Sequence, residues 1–187
     1  ILDQKFYQMS NEAKRYGLIL GAFSILSGVL FYVTGMSTVG ENNPVQSVLA
    51  IAVMIVLFIL AARDQKKRQG GYLSYGEGFK TMLGAGVIST LFSLVWVMLL
   101  IYVLEPGYVE VILDNSYEQM MEQNPNMSDA EVEMALGMTE KFVSPGWMVI
   151  WILFGGILSS AFFAALMALA TSKKRPPFMA TNEDAKA

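Results

Sequence analysis

The sequence predicts an all-α membrane protein: an antiparallel bundle of four transmembrane helices, with an extracytoplasmic helical hairpin between the third and fourth spans. Three observations carry this. The stretches 17–39, 45–62, 81–104 and 146–170 contain no Asp, Glu, Lys or Arg. Only 16% of the 187 residues are charged, against about 25% in soluble domains, so charge is confined to the connections. Basic residues gather in alternate connections, which sets an orientation.

The elements follow in order. In residues 1–16, Leu2, Phe6, Met9, Ala13 and Tyr16 recur at helical spacing, which predicts a cytoplasmic juxtamembrane helix leading into the first span. A bilayer core takes about 20 helical residues. The second stretch is the shortest, and its 18 residues reach about 27 Å at the α-helical rise. Its eleven Leu, Ile, Val and Phe residues favour insertion by about 3–6 kcal/mol. The third and fourth stretches are long enough to cross tilted. Buried helices of a soluble core rarely run this far without a charge.

Lys5, Lys14 and Arg15 precede the first span. Arg63, Lys66, Lys67, Arg68 and Lys80 lie between the second and third, and Lys173, Lys174 and Arg175 follow the fourth. The first loop holds Glu41 and no base, and 105–145 holds only Lys141. Both termini and the 63–80 connection are therefore expected in the cytoplasm, with the tail 173–187 disordered. Trp147, Trp151, Tyr32 and Tyr102 fall at the outer boundary, and Tyr16, Tyr72 and Tyr75 at the inner one, where amphipathic rings settle. The bases at 63, 66–68 and 173–175 are candidate contacts for anionic lipid.

The segment 105–145 predicts two helices. Val109, Ile112, Leu113, Tyr117 and Met120 form one stripe, and Val132, Ala135, Leu136, Thr139 and Phe142 a second. Asn124-Pro125-Asn126 breaks the chain between them, and Ser128 with Glu131 has capping-box spacing. Glu110, Asp114, Glu118 and Glu122 recur every four residues. Like charges at that spacing repel weakly. A solvated acidic face is the plain reading, and cation or basic-partner binding the sharper one.

The chain has no Cys and no His. That removes disulfides, thiolate chemistry and His acid–base catalysis. No span carries an ionisable residue, the usual mark of a proton or cation pathway, so coupled transport and intramembrane proteolysis are disfavoured. No metal or cofactor site, no catalytic residue and no nucleic-acid partner is expected. The spans are rich instead in small residues: Gly156, Ser160, Ala164 and Ala168, with Gly155 and Ser159 beside them; Gly17, Gly21, Ser24 and Gly28; and Gly86, Ser89 and Ser93. Such rows let helices approach closely in lipid, within one chain or between copies.

The most distinctive local pattern is Gly70-Gly71-Tyr72-Leu73-Ser74-Tyr75-Gly76-Glu77-Gly78-Phe79-Lys80. Glycines permit a turn, Ser74 and Glu77 have capping spacing, and the spacing is wrong for a P-loop. Tyr72, Ser74, Tyr75, Glu77 and Lys80 are candidate lipid or partner contacts. With Tyr16-Gly17 opening the first span, the basic stretch before Gly71–Lys80, the acidic Met-rich loop and the small-residue fourth span, the chain resembles the bacterial family known as domain of unknown function 4199, chiefly of Bacteroidota. The resemblance covers about residues 14–174. It implies four helices and the cytoplasmic membrane, and supplies no activity. The expectation is a non-enzymatic structural, scaffold or accessory component, with a homo-oligomer or a membrane-protein partner as candidate assemblies. The alternative is a transporter or channel for an uncharged solute or lipid through a Ser- and Gly-lined groove.

Overall fold

The computed structural model describes residues 9–36 and 43–173. The expected apolar face at Leu2 and Phe6, the end of the first predicted span, Lys174, Arg175 and the tail lie outside them. The described residues form six α-helices: α1 (Asn11–Val33), α2 (Pro44–Arg68), α3 (Tyr75–Leu99), α4 (Tyr108–Gln123), α5 (Asp129–Val143) and α6 (Pro145–Thr171). A π-helical turn, Leu100–Leu104, extends α3. Four helices, the third including that turn, are long and apolar enough to cross a membrane.

The first helix begins in the segment expected to lead into the span and stops short of the predicted end at 39. The expected juxtamembrane helix and the span are one continuous helix, started by Ser10, whose hydroxyl accepts the Ala13 N–H at 3.1 Å. It stops at Val33 because Gly35 takes φ +66°. The N–H groups of Gly35 and Met36 then close on Tyr32 O and Phe31 O, a Schellman stop. α2 likewise runs six residues past Ala62 through its basic end, where cations oppose the C-terminal helix dipole. A second Schellman stop follows. Gly70 (φ +74°) and Gly71 (φ +93°) donate to Lys67 O and Lys66 O, a left-handed pair that a side chain would strain.

The 70–80 segment is ordered. Ser74 Oγ accepts the Glu77 N–H at 3.3 Å, and Glu77 Oε2 accepts the Ser74 N–H at 3.0 Å. This capping box starts α3 at Tyr75. The glycine turn and the interfacial depth direct Tyr72, Leu73 and Phe79 into the bundle or lipid; Tyr72 and Phe79 are each half-buried, Phe79 against the core's edge. The fully buried residue is Leu73, 1% exposed. Its N–H and carbonyl pair with Lys173 at 3.1 and 2.8 Å. That bridge clips the turn after α2 to a residue just beyond α6, and sequence pattern alone gives no sign of it.

α3 is the central helix, with α1 and α6 packed along it and α2 touching more lightly. Starts of α1 and α3 and ends of α2 and α6 meet at one end, which carries most of the bases and is called the basic end below. The core lies towards this end: Phe58, Ala61 and Ala62 of α2, Met82 and Ala85 of α3, Ala164 and Ala168 of α6 are all fully buried. Away from it α2 stands off the bundle, and Val45, Val48, Leu49 and Ile51 are exposed. α4 and α5 pack on each other and bury no residue fully. Ser128 N–H and hydroxyl both donate to Glu131 Oε2 at 2.8 Å at the start of α5. These bonds hold the Glu131 carboxyl below the usual carboxylate range.

Candidate functional site

Both glycine rows meet α3. A Cβ added at Gly17 would lie 2.8 Å from Ile88 Cβ, at Gly21 2.6 Å from Phe92 Cγ, and at Gly28 2.5 Å from Trp96 Nε1. α3 thus lays Ile88, Phe92 and Trp96 into a groove that only glycine leaves open. On the other flank Gly86 of α3 abuts Ser160, and Gly156 abuts Thr90. Ser160, Ala164 and Ala168 are buried, whereas Gly155 and Ser159 are exposed.

Where α2 stands off, a cavity of about 420 Å³ opens between it and the other three long helices. α1 contributes Ser24 and Ser27, and α6 contributes Ser159 and Ser160. α3 supplies Ser89, Thr90, Ser93 and the Trp96 indole. The α2 wall is mostly apolar, with Ile51 and Met54, and Gln46 at its far end. No Asp, Glu, Lys or Arg lines it. In the sequence the serines and glycines of this region read as packing rows or, in the alternative reading, as the lining of a groove. Gln46, Thr90 and Trp96 carry no signal there, because nothing local marks a residue that faces a gap left by a different helix.

Ion pairs tie the helices together at the basic end. Glu12, buried to 8% side-chain exposure, has Oε1 2.8 Å from Arg68 Nε, close but without hydrogen-bond alignment. Tyr16 OH donates to Asp64 Oδ2 at 2.5 Å, and Arg15 and Lys67 flank Asp64 at 3.8 and 3.9 Å. Lys66 Nζ donates to Thr171 O at 3.2 Å, capping the end of α6. Lys173 Nζ lies 5.7 Å over the Tyr72 ring, a cation–π distance. Several candidate lipid-binding bases therefore already hold helices together, while Arg63 is exposed. Tyr75 is exposed and stacks on Phe79 at 6.2 Å. Glu77 also accepts from Gln69 Nε2 at 3.1 Å, and Lys80 is exposed. Tyr72 thus meets the end of α6 and Tyr75 lies along α3, and the candidate residues of this segment divide between a cap and two separate contacts.

Glu110, Asp114, Glu118 and Glu122 lie along α4, and all four are exposed. Among the described residues no group of three acidic side chains is placed to hold a metal ion. The feature between α4 and α5 is a groove of about 570 Å³. Its floor is Leu113, Tyr117, Met121, Val132 and Leu136. Asp129, Glu133 and Glu140, a different acidic set, stand at its rim.

Long apolar helices packed through glycine, with ion pairs gathered at one end, define a multi-pass membrane protein. Over residues 15–168 the chain matches the family described as a protein of unknown function, DUF4199, and it belongs to that family. No curated protein and no solved structure matches it.

Proposed function

We propose that this chain is a non-catalytic accessory component of a bacterial cytoplasmic membrane, an antiparallel four-helix bundle whose α4–α5 hairpin docks a basic amphipathic helix outside the membrane. The observation that carries the reading is the α4–α5 groove, an apolar, methionine-bearing floor with an acidic rim. Methionine adapts its shape to a partner, and an amphipathic helix lays its apolar face into such a groove. The segment 105–145 has one base against many acids, which favours a cationic partner.

Orientation is tested by cysteine labelling, which the Cys-free chain makes clean. Gln65 is buried and unsuited to labelling, so the inner reporter is Lys67, whose side chain is 81% exposed. In intact cells Lys67→Cys is expected to be shielded from an impermeant maleimide, and Gln123→Cys to react. The reverse pattern sinks the orientation. Docking is tested with a synthetic Leu/Lys amphipathic peptide and the purified protein in detergent. Glu133→Lys with Glu140→Lys is expected to weaken binding about tenfold and to flatten its salt dependence. An acidic peptide binding equally well, or a charge reversal without effect, removes the docking reading.

A passage for an uncharged solute is the second reading, favoured by the hydroxyl-lined cavity. Weighing against it, the bundle beyond the cavity is filled by Phe58, Ala61, Ala62 and Met82, all fully buried.

A further inference from the structure

The cavity beside α2 has a definite hydrogen-bonding character. Ser24, Ser27, Thr90 and Ser159 each donate their hydroxyl proton to a carbonyl of their own helix, at 2.8, 3.1, 2.9 and 3.1 Å. A hydroxyl has one proton and two acceptor lone pairs. These side chains therefore offer oxygen acceptors, Ser24 with one lone pair already taken by the Ser93 hydroxyl at 3.4 Å. The Trp96 indole and Gln46 amide stand beside them as donors, so the complementary occupant carries a hydroxyl to donate and carbonyls to accept. It is also uncharged, because no lining side chain can compensate a charge, and an unpaired charge at this depth is costly. The α2 wall adds the third property. Ile51 and Met54 are apolar, and Ile51 is 42% exposed, so this wall is open to the surrounding acyl chains.

We propose that the cavity binds a neutral lipid with a hydroxyl-bearing head, of the diacylglycerol class. Its hydroxyl donates to the serine and threonine oxygens of α1 and α3, and one acyl chain leaves past Ile51 and Met54. A volume of about 420 Å³ lies within the roughly 300–1,000 Å³ of small-molecule sites. It accepts the head and upper chain, while the remainder of the lipid stays in the bilayer. This site is separate from the α4–α5 groove, and its occupancy does not depend on docking there.

Native mass spectrometry of the full chain in detergent tests it with three probes. They are dioleoylglycerol, trioleoylglycerol (which has no hydroxyl) and dioleoylphosphatidylglycerol (which has hydroxyls and a charge). A one-to-one dioleoylglycerol adduct is expected, with each of the others at least about tenfold weaker, the worth of one or two hydrogen bonds. Ser24→Ala with Ser27→Ala removes two acceptors at little change in volume and is expected to bring dioleoylglycerol down to the trioleoylglycerol level. Ala50→Trp, on the exposed α2 wall, fills the space and is expected to abolish the adduct. Equal binding of dioleoyl- and trioleoylglycerol, preference for the anionic lipid, or an adduct unchanged by Ala50→Trp overturns the proposal. The comparison of probes on the unaltered chain decides the matter even where a variant fails to fold.

Discussion

Gly156→Leu is expected to melt in detergent about 2–12 °C below Gly155→Leu, one position away. A Cβ at Gly156 would lie 2.6 Å from Thr90 Cγ2 and 2.7 Å from Thr90 Oγ1, while one at Gly155 meets nothing within 4 Å. Both substitutions gain the same helix propensity, about 0.8 kcal/mol, so the difference between them isolates the contact. Overpacking of this kind costs about 1–3 kcal/mol, and a protein of this size loses about 2–4 °C per kcal/mol. Gly86→Leu approaches the same interface from α3, against Ser160 and, at 3.4 Å, Phe58 Cζ. It should behave like Gly156→Leu. Equal melting temperatures for the two α6 variants would place both glycines against lipid and remove the α3–α6 contact from the fold.

Arg68→Met should cost more than Glu12→Gln, although each breaks the same ion pair. Glu12 is nearly buried, and Arg68 is 63% exposed. Removing the arginine leaves a carboxylate in the interior with no cation against it. Removing the carboxylate's charge leaves an arginine already in contact with water. Breaking a buried pair from the wrong side costs several kcal/mol. With Arg68 mostly solvated, we expect about 1–3 kcal/mol for Arg68→Met and under about 1 kcal/mol for Glu12→Gln. Thermal melts of both variants and of the double variant measure this. The double variant should recover most of the loss, since no uncompensated charge remains. Equal losses in the two single variants would show that the buried carboxylate is not what the arginine serves.

The four apolar stretches are legible because an apolar run of about 18 residues or more without a charge is the mark of a membrane span. Their limits are less so, and each discrepancy has a cause in a particular residue. Glu12, Lys14 and Arg15 read as a solvated lead-in, which puts the start of the first span at Gly17. In the fold Glu12 is paired with Arg68 and Arg15 lies beside Asp64, so the helix carries those charges into the bundle. Its other end falls at Thr34-Gly35, a stop signal in plain view inside an apolar run that continues to Val39. The Ser74 and Ser128 caps are local and can be read from four residues each. The small-residue rows can be read as faces, but not that α3 is the helix the glycines of α1 and α6 both meet. A Ser- and Gly-lined groove can be imagined from the sequence, but its place beside α2 is beyond reach, because it depends on the distance α2 keeps from its neighbours, and the residues of α2 that border it are mostly as apolar as those that face lipid.

The bridge between Leu73 and Lys173 also has a consequence in time. The chain is synthesised from its N-terminus, so α2, the glycine turn and α3 are complete well before the residue that pairs with Leu73 exists. Until α6 is inserted, the Leu73 N–H and carbonyl lack the partner they have at 3.1 and 2.8 Å in the finished fold. The last span to arrive therefore secures a turn made long before it. A nascent or truncated chain ending within α6 lacks this pairing, so the turn after α2 is the last part of the basic end to be closed.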